Sequence, residues 1–223
     1  MNVVLFGASG MVGQGVMIEC LDDPEVRRVV SVVRRPTGVT HPKLTEMVHA
    51  DFFDYTAIEP SLRDADACFF CLGVSSVGMK EDDYRHVTYD LTMAAARTLH
   101  RLNPKMAFIY VSGANTDSTE QGRSMWARVK GKTENALLAM PFKASYMLRP
   151  GYIQPLKGVK SKTPLYQGVY NVLGWIYPAL HALLPRYTTT TVALGRSMIR
   201  LATVGDAQRV LSTAHINRVG GAA

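Results

Sequence analysis

The chain has 223 residues, 47% of them hydrophobic and 19% charged, a balance that can bury a core and excludes a disordered chain. The 25 basic residues outnumber the 18 acidic ones, but no basic run exceeds two residues, so the excess is a general bias that suits an anionic small ligand and excludes a nucleic-acid-binding stripe. Three cysteines, an odd number, exclude a disulfide framework.

In chain order, residues 3–6 read as a short buried strand, followed by the turn Gly7-Ala8-Ser9-Gly10-Met11-Val12-Gly13 and a helix over 11–21 that ends before Asp22-Asp23-Pro24. Residues 29–33 are β-branched and read as a second strand. A weaker third strand spans 44–48, just ahead of Asp51. Residues 66–72 predict strand four, closed by Gly73. Cys68-Phe69-Phe70-Cys71 lies within it, and residues three apart on a strand point to opposite faces, which makes these structural cysteines rather than a redox or metal pair. A helix is expected over 82–102, stopped by Asn103-Pro104. Strand five follows at 106–112, a helix at 124–140 before Pro141, and strand six at 144–148.

Strands alternating with helices predict βαβ units: a Rossmann-like doubly wound α/β fold with a parallel sheet ordered 3-2-1-4-5-6. Beyond Arg149-Pro150-Gly151 the pattern changes, with prolines at 155, 164, 178 and 185 and a last helix over 194–203. The expected division is a dinucleotide-binding domain over 1–153 and a small substrate cap over 154–223 that is not an independent domain. The apolar stretch 169–184 is too short to span a bilayer and contains Gly174, Pro178 and His181. The chain starts directly on a strand, without a basic leader, and the expectation is a cytoplasmic protein that meets neither membrane nor nucleic acid.

The turn is G-x-x-G-x-x-G between strand and helix. Gly7 allows the tight turn, Gly10 lets backbone approach a pyrophosphate, and Gly13 lets helix and strand pack closely, with Ser9 and Met11 between them. At the end of strand two, where an acid would hold a ribose 2′-hydroxyl, stand Arg34 and Arg35. Their guanidinium forks suit a 2′-phosphate, so the expected cofactor is NADP. Asp51, with Phe52 beside the ring, serves either as an adenine contact or as a turn residue. Leu72 and Gly73 pass close to the cofactor.

Together with Val111-Ser112, Lys130-Gly131 and Leu148-Arg149-Pro150-Gly151, these residues resemble the atypical and extended short-chain dehydrogenase/reductases, NAD(P)-binding proteins of the epimerase-like or isoflavone-reductase-like kind. The resemblance covers about the first 155 residues. It implies a catalytic serine at Ser112, a catalytic and ribose-binding lysine at Lys130, a cofactor contact at Pro150, a small-molecule substrate, and a homodimer formed through helices 82–102 and 124–140. The family's tyrosine, four residues before the lysine, is Trp126 here. An indole N–H donates only and cannot shuttle a proton as a phenol does. Tyr152, Tyr84 and Tyr89 are the candidates for a displaced phenol. The expected function is an oxidoreductase acting on a small carbonyl or alcohol. The alternatives are a non-catalytic NADP(H) sensor and a sugar-nucleotide epimerase or dehydratase. In the segment 154–223, Gln154, Lys157, Lys160 and Lys162 hint at an anionic substrate.

Overall fold

The computed structural model describes residues 1–159, 177 and 183–221. The stretch 169–184, apart from 177, 183 and 184, falls outside them, as do Lys160 and Lys162. Seven parallel strands form the central sheet: β1 (Asn2–Phe6), β2 (Arg28–Val33), β3 (Leu44–Val48), β4 (Ala67–Phe70), β5 (Ala107–Val111), β6 (Ala144–Arg149) and, as the seventh in space, β9 (Val210–Ser212). Their order is β3-β2-β1-β4-β5-β6-β9, the predicted order with β9 added beside β6. A separate parallel pair joins β7 (Tyr152–Gln154) to β8 (Thr188–Thr190).

The strand period of two sorts the core into two layers. On one face Val3 and Leu5 pack with Val16, Met17 and Cys20 of α1 (Met11–Asp22) and with Leu194 and Met198 of α6 (Thr191–Thr203). On the other, Val4 and Phe6 join Phe70, Phe108 and Tyr110 under α4 (Leu91–Leu102) and α5 (Met125–Ala139). Each large apolar side chain so buried is worth about 1.5–3 kcal/mol. Cys68 and Cys71 fall into opposite layers, and burial pushes both thiols up. Among the described residues no cluster of three His, Cys, Asp or Glu could hold a metal ion, and no helix is long and apolar enough to cross a membrane.

Residues 188–221 lie within the segment expected to form a cap. They supply β9, the helix α7 (Thr213–Gly220) and α6, which lies against α1. The two helices approach so closely that a Cβ on Gly15 would sit 2.4 Å from that of Thr191. Buried Glu19 locks this contact, accepting from Arg196 Nε at 3.0 Å and pairing with Lys157 Nζ at 2.6 Å. The predicted helix over 82–102 is in fact three pieces: α3 (Glu81–Arg85), a π turn over His86–Asp90, and α4. Sequence reading also missed the turn Thr56–Ile58 and the short helix α2 (Glu59–Leu62) after β3.

Candidate functional site

A crevice of about 420 Å³ opens where β1 and β4 end. Gly7, at φ +84°, turns the chain out of β1; a Cβ there would stand 2.7 Å from the backbone of Cys71 and Leu72. At Gly13 a Cβ would lie 2.1 Å from the Gly7 carbonyl oxygen, so this glycine is fixed by helix-to-turn packing. A Cβ on Gly10 would meet only that oxygen, at 3.4 Å, and Gly10 faces the crevice. The first and third glycines are therefore required by the protein itself, and the second leaves room for something else. Helix α1 begins at Met11 with no acid in its first turn and no side-chain cap, so its positive end is left for an anion. These features fit a dinucleotide pyrophosphate.

Of the predicted cofactor residues, Gly7, Ser9, Gly10, Arg34, Asp51, Phe52, Leu72 and Gly73 share the wall of this crevice. Arg34 and Arg35 are both exposed, but only Arg34 lines it. The Asp51 carboxylate accepts the Phe53 amide at 2.8 Å, the local turn contact that Asp makes readily. Phe52 is turned into the core, 6% exposed, and packs edge-on against Phe6 and Tyr55. The exposed ring is that of its neighbour Phe53, which sequence reading did not single out. It stacks on His86 of the π turn with ring centroids 4.6 Å apart. Met11, Gly13, Arg35, Ser112, Lys130 and Pro150 lie outside the crevice wall.

Ser112 follows β5 and is 8% exposed. Its hydroxyl shares a 2.9 Å hydrogen bond with Thr116 Oγ1, which in turn donates to the Gly113 carbonyl. The loops after β5 and β6 are laced together: Ser112 N–H donates to the Leu148 carbonyl and Ala114 N–H to that of Pro150. Lys130, on α5, is half-buried. Its ammonium lies 3.4 Å from the Tyr110 hydroxyl, and desolvation lowers its pKa to about 8 against the opposing pull of Glu134. Glu134, one turn further on, is itself buried and held by Arg149 Nε at 3.0 and 3.1 Å, which ties α5 to the end of β6. Trp126 is half-buried, with its six-membered ring 3.8 Å from where a Gly113 Cβ would be, over the loop after Ser112.

Each of the three tyrosines named as a displaced phenol is buried or has a local partner. Tyr84 is buried at 2% exposure, Tyr89 lies beneath the Lys132 ammonium at 5.1 Å, and the Tyr152 hydroxyl donates to Gln154 Oε1 at 2.8 Å.

A parallel sheet of this order, with a glycine turn at the first strand end and a crevice across the carboxyl ends, defines a Rossmann-like dinucleotide-binding protein. The chain belongs to the NAD(P)H-binding family, whose model matches residues 7–149. "Protein fmp52, mitochondrial" of Emericella nidulans is 27% identical over 159 residues, covering 68% of this chain and 66% of that protein, so the match spans just under two thirds of the relative's length. Among solved structures, the Bordetella bronchiseptica enzyme WbmF in complex with NAD+ superposes with a TM-score of 0.67 at 16% identity, covering 99% of this chain and 78% of that one. The dTDP-glucose 4,6-dehydratase of Bacillus anthracis in complex with NAD gives a TM-score of 0.66 at 12% identity, covering 94% and 74%. The expectation of a cytoplasmic location is corrected by the curated relatives, which are named mitochondrial. The way a chain starts and a Rossmann-like fold do not by themselves specify a compartment.

Proposed function

We propose that this chain is an NADP(H)-dependent oxidoreductase acting on a small carbonyl or alcohol. The observation that carries the cofactor choice is Arg34 in the crevice wall at the end of β2, where an acid would favour NAD(H). Gly7, Ser9 and Gly10 would take the pyrophosphate, Arg34 the 2′-phosphate, assisted by Arg35, and Leu72 and Gly73 the backbone approach to the ribose. The bound cofactor supplies or accepts a hydride. Ser112 would hydrogen-bond the substrate oxygen once its hydroxyl turns from Thr116, and Lys130 would reach the nicotinamide ribose. A calorimetric titration tests the reading: NADPH should bind more tightly than NADH, and equal affinities would remove its basis.

A second reading, an NADP(H)-binding sensor without turnover, is favoured by Trp126. Position 126, one helical turn before Lys130, would carry the phenol in the resembled family, and an indole there would not pass a proton; the engaged Ser112 hydroxyl agrees with a resting site. Cofactor oxidation across a panel of carbonyl compounds separates the two: tight binding without turnover supports the sensor.

A further inference from the structure

The Phe53–His86 stack is a feature that neither the glycine turn nor the Ser112–Lys130 region uses. The two rings come from different elements, Phe53 from the loop after β3 and His86 from the first position of the π turn. They are nearly parallel, 14° apart, with Phe53 44% exposed and the His86 side chain 61% exposed. Exposed aromatic rings stacked on each other gain little from burial. A π turn, rare in itself, occurs disproportionately at functional sites. Both rings line the same crevice as Gly10 and Arg34.

We propose that Phe53 and His86 are the two jaws of a clamp that opens by one ring thickness to take the adenine of the dinucleotide between them. The inference rests on the crevice being the cofactor site and names the residues that grip one end of it. Sheet order decides which end. Phe53 and Arg34 follow β3 and β2, on one side of β1, whereas Ser112 and Lys130 lie on the far side beyond β4. The 2′-phosphate and adenine belong to the same nucleoside, so an aromatic jaw beside Arg34 meets the purine and not the nicotinamide. The nearby wall residues Ala50, Val74, Val87 and Leu91 are apolar, suited to a flat base. Each jaw is anchored: the Phe53 amide on the Asp51 carboxylate at 2.8 Å, and His86 Nδ1 against Asp90 Oδ2 at 3.4 Å.

The test is calorimetric binding of NADPH, NADH and adenosine monophosphate to wild type, Phe53→Ala, His86→Ala and His86→Phe. Both side chains are exposed, so the substitutions leave the core untouched. Loss of one stacking face should weaken all three ligands about tenfold in each alanine variant, and His86→Phe should restore binding. In the wild type, saturation with adenosine monophosphate should shift the His86 ring protons upfield in NMR spectra, as a base stacked on the imidazole requires. Wild-type binding of NADPH with unchanged affinity in both alanine variants overturns the clamp and leaves the cofactor site standing. If His86→Phe is as weak as His86→Ala, and only NADPH suffers, the histidine is a phosphate cation and the clamp is wrong. A wild type that binds neither NADPH nor NADH overturns the cofactor site and the clamp together.

Discussion

The ammonium of Lys130 lies 3.4 Å from the hydroxyl of Tyr110, two residues before Ser112, and 5.2 Å from the centre of the same ring. Burial raises the Tyr110 phenol well above its ordinary range, so it stays neutral and offers the lysine only a dipole, while the pull of Glu134 offsets desolvation in part. The folded state thus holds the Lys130 proton less tightly than the unfolded chain, with a pKa of about 8 against 10.5. Between those values the unfolded chain binds more protons, so stability gains from Lys130 as pH rises. Above about pH 10 the unfolded tyrosines ionise first and the buried phenols reverse the trend. Denaturant melts of wild type and Lys130→Met from pH 7 to 10 should converge as pH rises, the wild type gaining relative to the variant. Parallel curves would place the ammonium in water.

The turn glycines should separate stability from binding. At Gly13 an alanine Cβ runs into the Gly7 carbonyl, so Gly13→Ala should lower the unfolding free energy by about 1–3 kcal/mol or more, read from the denaturation midpoint. Gly10→Val should stay folded and lose NADPH binding, because its branches enter the space left for the pyrophosphate. Normal binding by Gly10→Val would show that the turn is not a phosphate cradle.

Arg34 and Arg35 should not contribute equally. Only Arg34 lines the crevice, so Arg34→Ala should cost about 1.5–3 kcal/mol in NADPH affinity and leave NADH nearly unchanged. Arg35→Ala should have the smaller effect. The reverse ranking in a titration would move the 2′-phosphate to the other side of the strand end.

Trp126→Tyr should create or raise NADPH-dependent reduction of simple carbonyl compounds. The new phenol would stand one helical turn before Lys130, and general acid catalysis contributes about 10²–10⁴-fold. The indole packs near Gly113, so a smaller ring also leaves space that can trim the gain. An efficient wild-type reductase whose rate survives Trp126→Phe would make another group the donor.

The sequence made the glycine turn legible because its chemistry is local: seven consecutive residues, running from the end of a strand into the first turn of a helix, state their own geometry. The six main strands were legible for a similar reason, each being an apolar run between turn residues. The π turn was not, since His86–Asp90 lies inside a continuous helical pattern and differs only by a shift of phase. Nor was β9, whose three residues are too few to show a period and pair with β6 only after the chain returns. At the site, adjacent Phe52 and Phe53 part company at the end of β3, one into the core and one outward, and sequence alone could not say which. His86 was invisible for a different reason: its partner is 33 residues away and the two meet only through the fold.

The place of β9 bears on how this molecule is made. Strand β6 is complete by residue 149, yet its outer edge waits for Val210–Ser212, which pair Met147 with Val210 and Arg149 with Ser212. During synthesis from the first residue onward, about 60 further residues must emerge before that edge is covered, which at ~5–20 residues per second is a matter of seconds. For that interval the nascent sheet ends in Ser-Tyr-Met-Leu, an apolar strand with open backbone donors and acceptors, the kind of edge that recruits a neighbouring chain.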